Sequence, residues 1–212
     1  MIILSHDPQK NSDGLIIDLL NNSVANIKKL LKKYHHLKVF LSCEKLLNNQ
    51  EIHSTLLKLN ILGAGLAIIS SDLGLLKAVN DLNLNYYLVY NPNITINSLN
   101  ELEAYENLQG VFISPTSSFE SLKSMVKQTK IATFLSLKRL IFQTSRPELA
   151  SFNRHYGLNY PLNEKYYLEE SLRPGLFYEL ISNSNGTFIY DQQNNASIVE
   201  SLKDDLSYLV ID

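Results

Sequence analysis

The chain has 212 residues, 45% of them hydrophobic and 19% charged, with a net charge of −2 at neutral pH. That suffices for one domain with a sizeable core, and the balanced charge excludes a broad basic face of the kind that grips nucleic acid through its phosphates. The single cysteine, Cys43, excludes an internal disulfide and any zinc or iron–sulfur site built from cysteines of this chain alone.

The opening MIILSHDPQK lacks the basic flank and long apolar run of a signal peptide or anchor. No stretch approaches the about 20 apolar residues of a membrane helix, so a cytoplasmic protein without membrane contact is expected. Residues 2–4 and 15–17 are short apolar runs with turn chemistry between them, and predict two buried strands. From Ser23 the period changes. Val24, Ile27, Leu30, Leu31 and Tyr34 recur at helical spacing, Ser23 is placed to cap, and Lys28, Lys29, Lys32 and Lys33 fall on a solvated face.

Strands are then predicted at 38–42, 66–69, 86–90, 111–113, 131–135 and 208–211. Helices are predicted at 50–59, from Ser71-Asp72 to 79, at 99–105, from Ser117 or Ser118 to 126, and at 197–202. Eight short apolar strands, mostly separated by helices, imply parallel βαβ units. Eight is the number that closes a barrel, so the expected fold is α/β, a (β/α)8 TIM-barrel-like single domain over 1–212. An open doubly wound sheet is the alternative, and no Gly-rich phosphate loop follows the first strand to support it.

Two helices are missing from the count, after the first and after the eighth strand. In a closed barrel those strands are neighbours, so the omission predicts an apolar strip of wall. A second copy or a different subunit is expected to cover it. Residues 141–190 break the alternation: GLFYEL-ISNSNG-TFIY predicts a hairpin between the seventh strand and the last helix, and the segment is expected over the barrel mouth.

None of the five histidines has zinc-ligand spacing, and no cofactor or metal is expected. His6, after the first strand, and His155, in the irregular segment, are the two placed to act at a mouth. Cys43 follows the third strand, but a neighbouring Glu44 raises a thiol's pKa, which favours a small buried residue over a nucleophile. Asp72 is best read as a helix cap, and no G-x-S-x-G motif supports a serine nucleophile. The strongest constellation pairs arginines with aromatics: Arg146, Arg154, His155, Tyr156, Tyr166, Tyr167 and Arg173. Guanidinium forks hold carboxylate or phosphate, and ring faces stack; the same residues equally serve to pack the hairpin and hold loop carbonyls.

IFQTSRPEL, YYLEESLRPGLFYEL, NGTFIY and the closing YLVID, with KVFLS, GAGLAIISSDLGLL, residues 95–97 and FISPTSSFESL, resemble the U32 peptidase family of collagenase-like proteases, in particular its short paralogue in Gram-positive bacteria. The sharpest pieces are Gln143, Arg146-Pro147, Arg173-Pro174 and Asn185-Gly186-Thr187. The resemblance implies a TIM-barrel-like domain and a peptidase label. It also implies relatives that hydroxylate RNA uridines or quinone precursors without oxygen, in which a long cysteine-bearing member holds an iron–sulfur cluster. Here the family's His-Gly pair is replaced around Ser136 and Leu137, its Arg-Glu by Pro115-Thr116, and the cluster cysteines are absent. An accessory subunit acting with a longer member, and reaching tRNA through it, is therefore expected, with Gln143, Arg146, Arg154, Tyr166 and Arg173 as its binding residues. The alternatives are a peptidase using His6, Cys43 or His155, and a small-anion binding domain using Arg146 and Arg173.

Overall fold

The computed structural model describes residues 1–92, 107–113, 119–191 and 196–211. In chain order its strands are β1 Ile2–Ser5, β2 Gly14–Asp18, β3 Lys38–Cys43, β4 Ala67–Ser70, β5 Tyr87–Tyr90, β6 Gly110–Ile113, β7 Ala132–Ser136, β8 Arg139–Thr144, β9 Lys165–Glu169, β10 Phe177–Asn183, β11 Gly186–Asp191 and β12 Tyr208–Ile211. The helices among the described residues are α1 Val24–Lys33, α2 Asn49–Leu62, α3 Leu73–Asp81, α4 Phe119–Gln128, α5 Glu148–Tyr156 and α6 Ala196–Leu202. They divide between two compact units, Met1–Leu137 with Asn195–Asp212, and Lys138–Asn194.

The first unit is a closed parallel barrel in the order β1-β12-β7-β6-β5-β4-β3-β2, a TIM-like arrangement. Its eight strands are the eight apolar runs of the sequence. Alternation along each strand gives the barrel two cores. Leu4, Ile16, Phe40, Ile69, Val89, Phe112, Phe134 and Val210 fill the lumen. Leu15, Ile17, Leu41, Ile68, Leu88, Val111 and Leu135 face outward under the helices. The lumen is filled by stacked rings, Phe134 lying 4.3 Å from Tyr208 and 5.1 Å from Phe112 between centroids, so it is a packed core and not a channel. Each side chain fully buried this way, such as Leu41 or Ile68, stabilises the fold by about 1.5–3 kcal/mol.

Caps define where the helices begin. Ser23 accepts a hydrogen bond from the Asn26 amide, Asp72 from the Leu75 amide, and Asn48 and Glu51 form a reciprocal capping box that starts α2. The lysines of α1 are exposed, as its amphipathic pattern requires. The helix expected at 99–105, the caps expected at Ser117 or Ser118, and the Pro115-Thr116 departure lie outside the described residues.

Residues 6–13 join two parallel strands without a helix. Asp13 makes this short return possible: its carboxylate accepts the Ile3 amide at 2.9 Å and its own amide donates to the Ile3 carbonyl at 2.8 Å. Gly14 is required next, because a Cβ there would sit 2.8 Å from the Lys38 carbonyl oxygen and 2.6 Å from a Leu4 methyl.

The second unit is a four-stranded antiparallel sheet, β8-β11-β10-β9, with α5 packed against β11. The expected hairpin is its central pair, β10 and β11, turning at Ser184-Asn185 with Asn183 opposite Gly186. β8 and β9 add an outer strand on each side.

Candidate functional site: an aromatic and arginine surface on the second unit

The cysteine and acidic candidates of the barrel end in structure. Cys43 is 1% exposed and belongs to the core between wall and helices. Burial, helped by the Asp18 and Asp72 carboxylates and opposed by the Lys45 backbone, pushes its thiol up to about 12. Such a thiol is protonated at neutral pH and is a poor nucleophile. The direction matches the expectation from sequence, but the cause is burial and not Glu44. Asp72 accepts the Leu75 amide with one oxygen and the Leu47 amide with the other, tying the loop after β3 to the start of α3. Asp18 accepts the Leu20 and Asn21 amides, and Asp7 accepts that of Gln9. His6 is exposed at the end of β1. Among the described residues no group of three His, Cys, Asp or Glu side chains is placed to hold a metal ion, and no helix is long and apolar enough to cross a membrane. A cleft of about 490 Å3 opens at the N-terminal strand ends, lined by Lys38, Phe40, Leu66, Tyr87 and Tyr208. This is the end of a barrel that usually serves stability, opposite to the one where active sites form.

The second unit separates the arginines by role. Arg173 is committed: its Nε and Nη2 donate to the two oxygens of Glu170 at 3.0 and 2.7 Å, and the Tyr178 hydroxyl donates to the same carboxylate at 3.0 Å. Arg173 and its neighbours close the turn between β9 and β10, with Gly175 donating to Glu169. Arg146 contributes its carbonyl, which accepts from the Thr187 hydroxyl at 2.9 Å. The guanidinium groups of Arg146 and Arg154 are exposed and have no ion-pair partner among the described residues.

On α5 and in the loop after it the rings gather. Phe152 and Tyr156 are one turn apart on α5, with centroids 4.7 Å apart, and His155 meets Tyr156 edge-on at 4.7 Å. The helix ends at Gly157 in the left-handed conformation, and Asn153 then clasps the following loop, donating to the Tyr160 carbonyl and accepting its amide. That clasp sets Tyr160 6.5 Å from Phe152 and 5.6 Å from Tyr166, whose hydroxyl donates to Pro161. The result is a continuous row of rings, Tyr156, Phe152, Tyr160 and Tyr166, in which Tyr156 is 62% exposed and Phe152 and Tyr160 are each 45% exposed. His155, Tyr156 and Tyr166 of the expected set meet here, and Arg154 is exposed on the same helix. Gln143 is half-buried in β8 opposite Phe188, and Arg173 stands in the turn beyond β9. Phe152 and Tyr160 are not singled out by the sequence, although the i,i+4 pair Phe152/Tyr156 just before a glycine is a visible helical signal.

A row of exposed rings can stack on flat groups or anchor in a partner's apolar pockets, and Tyr and Phe are among the residues enriched at protein interfaces. The described residues form a closed parallel barrel and a compact antiparallel unit that displays an exposed row of rings. Comparison with protein-family models, curated proteins and solved structures gives no match.

Proposed function

We propose that this protein is a non-catalytic binding subunit, a trimmed U32-like barrel that works with a longer cysteine-bearing U32 member in the hydroxylation of tRNA uridines. The observation that carries the binding role is the exposed row of rings, with the exposed Arg154 on the same helix. Folded monomers rarely display so much aromatic surface without a partner. The buried, protonated Cys43 and the structural use of Asp7, Asp18 and Asp72 favour this reading over a peptidase, and the Arg173–Glu170 pair favours it over an anion site built on Arg173. The iron–sulfur chemistry and the tRNA contact belong to the partner in this proposal, and its identity rests on the sequence resemblance. The helix-free junction after β1 supplies a second contact, where Ile3 and Ile211 are half-buried on the barrel wall.

The test is purification of the tagged full chain from its native host. A longer cysteine-rich relative should co-purify and be lost with Phe152→Ala/Tyr156→Ala, at unchanged melting temperature. Deletion of the gene should lower hydroxyuridine in tRNA nucleosides measured by mass spectrometry. Purification without such a relative, together with unchanged hydroxyuridine, sinks the proposal.

A further inference from the structure

β9 is an outer strand of the second unit's sheet, hydrogen-bonded to β10 on one side. Its sequence is Lys-Tyr-Tyr-Leu-Glu; Tyr166 is half-buried and the other four residues are exposed, Tyr167 at 59%. Exposed apolar edges of this kind are templates for further strands, and natural proteins usually blunt or cover them.

The ladder fixes which backbone groups face outward. The Glu170 amide donates to the Leu176 carbonyl, which makes 170/176 a hydrogen-bonded pair in the register that sets Glu169 opposite Phe177. In an antiparallel ladder such pairs alternate, so Leu168/Tyr178 and Tyr166/Leu180 are the next two. Lys165, Tyr167 and Glu169 therefore turn their N–H and C=O groups away from β10, toward the free edge.

We propose that two copies of the chain pair through β9, antiparallel about a two-fold axis at Tyr167, to form one continuous eight-stranded sheet. This register sets Lys165 opposite the second copy's Glu169, Tyr167 opposite Tyr167, and Tyr166 opposite Leu168. Every outward-facing residue meets another, giving hydrogen-bonded pairs at 165/169, 167/167 and 169/165. A slip of two residues in either direction keeps the ladder and destroys both Lys–Glu pairs, so charge selects this register. The contact is self-complementary, as a two-fold interface must be. Lys165 also lies 3.7 Å from Glu179, and one Glu169 oxygen accepts the Gly175 amide at 2.9 Å. The Lys165 side chain is 58% exposed, and the second Glu169 oxygen is left for the pairing.

The experiment is sedimentation velocity of the purified full chain across the micromolar range. Wild type is expected to dimerise. Tyr167→Pro removes an amide that faces away from β10, so the fold should persist by circular dichroism while the dimer is lost. Lys165→Glu and Glu169→Lys each set like charges opposite one another at both ends of the pairing and should weaken the dimer about tenfold, with the double exchange restoring it. A monomeric wild type overturns the proposal. So does a dimer unmoved by Tyr167→Pro, or a double exchange no tighter than either single variant.

Discussion

Replacing Thr187 by valine keeps the size and β-branching of a buried side chain and removes one oxygen. That oxygen is the joint of the second unit. It donates to the Arg146 carbonyl at 2.9 Å, accepts the Glu148 amide at 2.8 Å, and accepts from the Ser182 hydroxyl at 2.9 Å, in a residue only 1% exposed. A hydroxyl has one proton and two lone pairs, so its capacity is full. Thr187→Val removes three hydrogen bonds and leaves the Glu148 amide only its contact with the Arg146 carbonyl at 2.9 Å, at a cost of about 2–4 kcal/mol. Thr187→Ser keeps the oxygen and should cost about 1 kcal/mol, one methyl's worth of burial. The chain has no tryptophan, so the assay is amide hydrogen exchange in β10 and β11, followed alongside the barrel strands as an internal reference. Thr187→Val should accelerate exchange in the second unit and leave β3 to β5 unchanged. Equal protection in wild type and Thr187→Val, or equal losses in Val and Ser, refutes the assignment.

Gly186→Ala should be at least as damaging. Its φ of 132° disfavours a side chain, and a Cβ would lie 2.1 Å from the Thr144 carbonyl oxygen, so about 3 kcal/mol or more is expected in urea unfolding. Cys43 should resist thiol reagents in the native state and react only on unfolding, at the rate of global opening. Its folded pKa of about 12 stands above its ordinary value of 9.0. The neutral thiol therefore stabilises the fold fully below pH 9 and loses that contribution as pH rises toward 12, a loss that Cys43→Ala should abolish in pH-dependent melting. At the other end of the scale, the Arg173 guanidinium, with help from Tyr178, holds the Glu170 carboxyl below its ordinary range against a smaller opposing effect of burial. The turn after β9 should be tight above the unfolded carboxylate pKa and loosen as pH falls through the depressed folded value. In Arg173→Gln, exchange at 170–176 should lose most of that acid dependence.

The barrel was legible because parallel strands are buried on both faces and stand in the sequence as short uninterrupted apolar runs, KVFLS, LAII and YYLVY among them. The caps at Ser23 and Asp72 announced their helices by residue type. The second unit was legible only at its centre. β10 and β11 alternate around an Asn-Gly turn, whereas β9 is an outer strand exposed on most of its length and carries no period for a pattern to reveal. β8 is bulged at Ile141, where Ile189 faces Phe142 and Tyr190 faces Leu140, which breaks the alternation of LIFQ. α5 was hidden for a different reason: Pro147 at its cap position makes no side-chain hydrogen bond, so the usual starting residue is missing. The row of rings depends on Asn153 holding Tyr160, a contact between residues seven apart that composition cannot disclose.

Three of the motif residues that stand out in the sequence build the second unit's joints. Gly186 admits the Thr144 carbonyl, Thr187 fastens β11 to the start of α5 through Arg146, and Arg173 locks the turn between β9 and β10 through Glu170 and Tyr178. Each is spent on holding the second unit's shape. Phe152, Tyr156, Tyr160 and Arg154 are exposed instead, and Asn153 sets the place of Tyr160 beside Phe152. A chain under pressure only to fold would replace exposed rings by polar residues at little cost, since surface substitutions usually move stability by less than about 0.5 kcal/mol. In the proposed binding role the structural joints act indirectly: a rigid small sheet presents rings that would otherwise lose rotamer entropy on binding, which is how a modest surface gains affinity.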